Sequence, residues 1–113
     1  MAYNEALANR IREILADAGV NVFEKRMFSG LSFLVDEKLC VSVASKDRML
    51  LRLSPEDYEN SLEQNGVTTM QRNGKAMKGY IYVDNDVLQS NAALKRWVDM
   101  ALAFNPIAKP YKK

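Results

Sequence analysis

The sequence predicts an α+β fold in two layers: an antiparallel sheet, a meander plus a hairpin, with N- and C-terminal helices on one face. Three observations carry this reading. Segments near the two ends place apolar residues at helical spacing, the stretch between them alternates with period two, and turn residues interrupt that stretch at short intervals. The 113 residues are 48% hydrophobic. That suits one domain able to bury roughly two-thirds of its unfolded surface. The domain is expected over residues 1–105, with 106–113 a flexible basic tail.

The first helix is expected from about Asn4 to Ala18. Leu7, Ile11, Ile14, Leu15 and Ala18 form its apolar stripe, Tyr3 sits one turn before Leu7, and Gly19 suits the left-handed residue after a helix. Val22–Phe28 alternates but mixes apolar and charged groups on each side, which predicts a strand near a sheet edge. Ser29-Gly30 breaks the period and allows a bend or bulge. Leu31–Val35 and Leu39–Val43 follow as strands joined by Asp36-Glu37, with Leu39, Val41 and Val43 expected on one face. Lys46-Asp47-Arg48 reads as a turn, and Met49–Leu53 as the next strand of the meander, with Met49, Leu51 and Leu53 inward.

Ser54-Pro55-Glu56-Asp57 is the clearest helix start: a capping hydroxyl, a proline at the first helical position and two carboxylates at the positive end of the dipole. Asn65-Gly66 is expected to end this short helix. Thr68–Arg72 and Met77–Val83 flank Asn73-Gly74, the best hairpin dipeptide in the chain, with Met77, Ile81 and Val83 alternating against Lys78, Tyr80 and Tyr82. Asp84-Asn85-Asp86 leaves the sheet. The last helix, about Ser90 to Phe104, carries Leu94, Trp97, Val98, Ala101 and Leu102 as its stripe and stops at Asn105-Pro106.

Composition excludes several function classes. There is no histidine, so histidine-based nucleophile systems, general acid/base work and metal ligation are all removed. One cysteine, Cys40, permits neither an intrachain disulfide nor a cysteine zinc cluster. Its place inside a strand reads as a structural thiol rather than a reactive one. The N-terminal stretch lacks a secretory pattern and no apolar run approaches the ~20 residues of a membrane span, so a cytoplasmic protein is expected. The formal charge is +2, yet Lys109, Lys112 and Lys113 supply the excess, and residues 1–108 hold 13 basic against 14 acidic groups. A broad nucleic-acid footprint is therefore absent before the tail. Asp84 and Asp86 lack the glycine and distal glutamate of a calcium loop and read as cap and turn residues. No glycine-rich phosphate loop occurs, so neither catalytic, cofactor nor metal residues are assigned.

One constellation remains. Lys25, Arg26, Arg72, Lys75 and Lys78, interleaved with Tyr80 and Tyr82, would make a basic surface with stacking rings if their strands were neighbours. The alternative is that the cations solubilise sheet positions while the tyrosines cover cross-strand neighbours.

The ordered segments KRMFSGLSFLV, LCVSV, MLLRL, MKGYIYVD and LKRWVDMALAF resemble the TfoX N-terminal domain family over nearly the whole chain, Met1 to Phe104. Its most specific pieces here are Met27-Phe28-Ser29-Gly30, Met77-Lys78-Gly79-Tyr80 with Tyr82-Val83, and Leu94 with Trp97-Val98. The family pattern usually has Gly-Gly at Ser29-Gly30 and Asn-Gly at Asp36-Glu37, two mild departures. Sxy/TfoX proteins regulate competence for DNA transformation, and the full-length regulators carry a second, C-terminal helical domain. The resemblance therefore implies a stand-alone N-terminal domain, two-layered and non-enzymatic. Its expected role is regulatory, through protein contacts, with partners such as transcription machinery or a cyclic-AMP receptor-type regulator. Direct nucleic-acid binding through the basic and aromatic patch is the second expectation, and a small ligand-binding domain or enzyme a third. An exposed strand edge would also support a homodimer.

Overall fold

A computed structural model describes residues 4–27, 30–44 and 48–106, and only the backbone of Met27 and Arg72. The elements run α1 (Glu5–Ala18), β1 (Val22–Met27), β2 (Gly30–Val35), β3 (Lys38–Ala44), β4 (Arg48–Arg52), α2 (Pro55–Ser61), β5 (Val67–Arg72), β6 (Lys75–Asp84), a 3₁₀ turn (Asn85–Leu88) and α3 (Asn91–Phe104). All strand pairs are antiparallel, and the sheet order is β1-β2-β3-β4-β6-β5. The α+β architecture is as the sequence predicts: a four-strand meander plus a hairpin whose second strand docks on β4. The Phe28-Ser29 half of the bend, the turn residues Lys46 and Asp47, Tyr3, and the tail from Ile107 onward lie outside the described residues.

Helix ends follow local chemistry. Asn4, Ser54 and Ser90 cap α1, α2 and α3, each side-chain oxygen accepting a backbone N–H three residues on. Gly19 closes α1 at φ 71°. Two details differ from the pattern. On α1, Ala8 is buried while Ala18 is exposed, so the stripe ends one turn earlier. Helix α2 stops at Ser61 rather than at Asn65-Gly66. The chain then turns through Asn65, and the Gly66 carbonyl accepts from Asp84 N–H at 2.9 Å, which draws these residues onto the start of the β5–β6 pair.

All three helices feed one core. Leu7, Ile11 and Leu15 of α1, Tyr58 of α2 and Leu94, Trp97 and Val98 of α3 meet Phe33, Val41, Val43, Met49, Leu51, Ile81 and Val83 of the sheet. Arg12 holds α1 to the edge strand by donating from Nε and Nη2 to the Glu24 carboxylate at 2.7 and 2.9 Å. That hydrogen bond holds the Glu24 carboxyl below its ordinary range. Arg10 fastens α1 to the other end of the molecule, donating to the Leu88 and Gln89 carbonyls and to Asn91 Oδ1. The end of α3 is latched to the β2–β3 hairpin: Asn105 Nδ2 donates to the Val35 carbonyl at 2.9 Å, and Lys38 Nζ to the Asn105 carbonyl at 3.2 Å.

Two bulges change which side chains face which way. Between β2 and β3 the register steps from Phe33 opposite Val41 to Leu34 opposite Leu39, leaving Cys40 as an extra residue. Cys40 and Val41 therefore both enter the helix-side core, while Leu39 turns to the far face, correcting the expected common face of Leu39, Val41 and Val43. Cys40 is buried, and desolvation pushes its thiol up to about 12, so it stays protonated and inert at neutral pH. In β6 the register moves from Thr69 opposite Ile81 to Gln71 opposite Ala76, so Met77–Tyr80 span the place of one residue. Gly79 takes φ 93° there, and Met77 joins the far-face residues instead of sharing the expected face of Ile81 and Val83.

The β2–β3 turn departs from the favoured dipeptide yet keeps its geometry. Asp36 and Glu37 have φ 52° and 69°, both left-handed, as a two-residue hairpin of the primed type requires. Asn73-Gly74 does the same between β5 and β6 with the preferred residues. Replacing Asp36 and Glu37 by Asn and Gly should therefore stabilise the fold by about 1 kcal/mol, the left-handed penalty at a residue bearing Cβ less the extra chain entropy of glycine. A rise of roughly 4 °C in melting temperature should accompany it. An unchanged or lowered melting temperature would show that the two side chains contribute contacts that outweigh the backbone strain.

Candidate interaction surface on the far sheet face

The sheet face away from the helices is built by the alternate residues of each strand. Lys25 pairs with Ser32, Ser32 with Ser42, Ser42 with Leu50, Leu50 with Tyr82 and Tyr82 with Thr68, giving one row across all six strands. A second row runs Phe23, Leu34, Leu39 along the first three strands and Arg52, Tyr80 across β4 and β6. Leu39, Leu50 and Met70 form a small buried cluster here, with Met77, Tyr80 and Tyr82 packed against it. Ser32 Oγ donates to Ser42 Oγ at 3.0 Å and Ser42 Oγ to the Leu31 carbonyl, so both buried hydroxyls are satisfied. Phe23, on the edge strand, is 64% exposed.

The predicted basic constellation is divided by this arrangement. Lys25 and Arg26 sit on β1, at one edge, whereas Arg72, Lys75, Lys78, Tyr80 and Tyr82 belong to β5 and β6 at the other. Four strand spacings separate β1 from β6, roughly 19 Å. Lys25 and Arg26 also diverge: Lys25 shares the far face with Ser32, while Arg26 lies opposite Leu31 on the helix side. Lys75 and Lys78 are exposed, and Tyr80 and Tyr82 are half-buried.

The cations that do accompany the tyrosines are Arg48 and Arg52, which sequence reasoning left out of the site. The Arg48 guanidinium carbon lies 3.8 Å from the Tyr82 ring centroid, and that of Arg52 lies 5.4 Å from Tyr80. Both distances fall within the range of a cation over an aromatic face. The period of β4 held the signal: Met49, Leu51 and Leu53 point inward, which puts Arg48, Leu50 and Arg52 on the opposite face. What was missing was the adjacency of β4 and β6, because α2 and β5 intervene in the chain.

Arg48 is the less compensated of the two. Asp84 lies directly opposite it in register, yet among the described residues the Arg48 side chain makes neither an ion pair nor a hydrogen bond, and its Nε is buried without a partner. A guanidinium holds its donors in one plane, the geometry that meets a carboxylate or phosphate with two parallel bonds. The Arg48 guanidinium occupies the ring face of Tyr82 that an unpaired base would need.

No group of three or more histidine, cysteine, aspartate or glutamate side chains among the described residues could hold a metal ion, and no described helix is long and apolar enough to cross a membrane. No curated protein matches the chain. The profile described as the TfoX N-terminal domain matches residues 13–105, a span that runs from the middle of α1 to the last residue before Pro106 and takes in the whole sheet. With four-fifths of the sequence covered, and with the fold that the resemblance implied, the chain belongs to the TfoX N-terminal domain family.

Proposed function

We propose that this chain is a non-enzymatic, cytoplasmic regulatory domain that acts through protein contacts, within the transcriptional control of competence that the family name suggests. The observation that carries the reading is the Arg48–Tyr82 pair beside Arg52–Tyr80, four large side chains on the far face of β4 and β6. Arginine and tyrosine are the residues that concentrate binding energy at protein interfaces. The cationic side of the pair selects an acidic partner surface, as a component of the transcription machinery or a cyclic-AMP receptor-type regulator could present. Lys25 on edge strand β1 and Lys78 on β6, four strands away, would tune association rate more than affinity.

The test is retention of a partner from lysate by immobilised protein. Arg48→Glu/Arg52→Glu should reduce retention at least 30-fold, as loss of about 2 kcal/mol or more at an interface centre implies. Lys25→Glu should reduce it only a few-fold. Equal retention by wild type and the double variant would remove this surface from the function, and a wild type that retains nothing would remove the adaptor reading. Direct nucleic-acid binding is the second reading, favoured by the cations and disfavoured by the covered ring of Tyr82. It requires an affinity that falls steeply with salt. A homodimer through edge strand β1 or β5 is a separate outcome that light scattering distinguishes.

A further inference from the structure

The two edges of the sheet are not alike. Strand β5 closes one side with Val67 and Met70 buried, whereas Phe23, Glu24, Lys25 and Arg26 of β1 are all exposed and Val22 is half-buried. Neither face of β1 is roofed, so α1 stops short of the edge even though Arg12 reaches Glu24. The backbone opens on the same side. Asp36 N–H donates to the Asn21 carbonyl at 3.2 Å, one step beyond the Val22–Val35 pair, which makes Asn21 and Asp36 a hydrogen-bonded pair. Alternation then turns the N–H and C=O groups of Phe23 and Lys25 toward β2, and those of Val22 and Glu24 away from it. Phe23 is also where the apolar row Leu39, Leu34, Phe23 runs out to the edge, and there it ends 64% exposed.

We propose that a second copy of this chain adds to β1, antiparallel, with Phe23 on the two-fold axis. A symmetric antiparallel pair puts one residue of the strand opposite its own copy, so the sequence of β1 selects the register. With Glu24, Lys25 or Arg26 on the axis, like charges face each other directly, which destabilises a strand pair. With Phe23 there, two rings meet in a non-hydrogen-bonded pair, where side chains stand closest. Val22 and Glu24 then exchange backbone bonds with Glu24 and Val22 of the other copy, using groups that already point outward. Lys25 falls opposite Asn21, so no like charges meet. The apolar row becomes continuous from one Leu39 to the other, and α1, stopping short of the edge, lets the strands approach. The occupant is a second copy because the charges of β1 leave it one register centred on an apolar residue. The inference is independent of the partner surface, which lies across the sheet on β4 and β6.

The contact is smaller than a standard interface, so a weak dimer is expected, its light-scattering mass rising from one chain to two between about 10 µM and 1 mM. Phe23→Asp should raise the dissociation constant at least about 30-fold, as loss of an apolar anchor at an interface centre does. Its exposed position leaves the monomer folded, which a melting curve checks. The register has its own readout. Phe23→Cys should give a disulfide-linked dimer under mild oxidation, since residues paired on the axis have Cα atoms about 4.5 Å apart. Lys25→Cys should not, because its two copies lie roughly 14 Å apart, beyond the ~7 Å that a disulfide spans. Cys40 is buried and does not compete. Arg48→Glu/Arg52→Glu should dimerise like wild type. A chain that stays monomeric throughout that range, a dimer indifferent to Phe23→Asp, or cross-linking at Lys25→Cys equal to that at Phe23→Cys would each overturn the proposal.

Discussion

Gly30→Ala is expected to destabilise the domain by at least about 3 kcal/mol, although it adds one methyl group to a sheet residue. A Cβ at position 30 would lie 1.8 Å from the Val43 carbonyl oxygen and 2.9 Å from its carbon. The obstacle is backbone, so no rotamer change relieves it. Strands β2 and β3 must separate locally, and the first contacts to suffer are Leu31 opposite Val43 and the buried Ser32–Ser42 hydroxyl pair, whose chain of bonds ends on the Leu31 carbonyl. Overpacking costs about 1–3 kcal/mol where side chains can yield, and exposing that buried polar pair adds to it. Against a total stability of about 5–15 kcal/mol, the variant should show a much lower denaturation midpoint and reduced soluble yield. An unfolding free energy within about 1 kcal/mol of wild type would mean that the strands are not held as close as they stand here.

Trp97→Ala should cost about as much, roughly 3–5 kcal/mol. Trp97 is fully buried at the centre of the α3 stripe and is the largest side chain in the core. Its indole carries a complication, because Nε1 is buried with no hydrogen-bond partner. An orphaned donor costs about 1–3 kcal/mol in the native state. Trp97→Phe removes that liability along with part of the packing, so the two effects offset each other and the loss should be only about 1–2 kcal/mol. Urea denaturation of the pair separates these contributions. If Phe and Ala prove equally damaging, the indole N–H is satisfied in solution, by a water for instance, and the orphan account fails.

The parts of the fold that sequence disclosed are those governed by local chemistry. Asn4, Ser54 and Ser90 cap because a side-chain oxygen can reach a free N–H three residues away, and Asn73-Gly74 turns because both residues tolerate left-handed backbone. The parity of strand faces was read correctly wherever polar and apolar residues alternate, as in β4. It failed at Leu39-Cys40-Val41, where three apolar residues in a row carry no polarity to mark the bulge. It failed again at Met77, where Gly79 hinted at a bulge without giving its length. The basic constellation is divided for another reason. Lys25 and Lys78 look alike as exposed strand cations, but strand order decides whether they share a surface, and that order depends on contacts between segments far apart in the chain.

The β4–β6 pairing has a kinetic side as well. Every other strand pair in the sheet joins consecutive strands through a short connection, so the meander β1–β4 and the hairpin β5–β6 are each built from low-separation contacts. The β4–β6 junction alone must close a loop containing α2 and β5, and loop closure is where the entropic cost of folding concentrates. Arg48, Arg52, Tyr80 and Tyr82 all straddle that seam. Their surface consequently has no existence in either half-molecule: it comes into being only when the two subunits of the folding reaction join, so a partner that reads it would recognise the completed chain and pass over its nascent or partly unfolded forms.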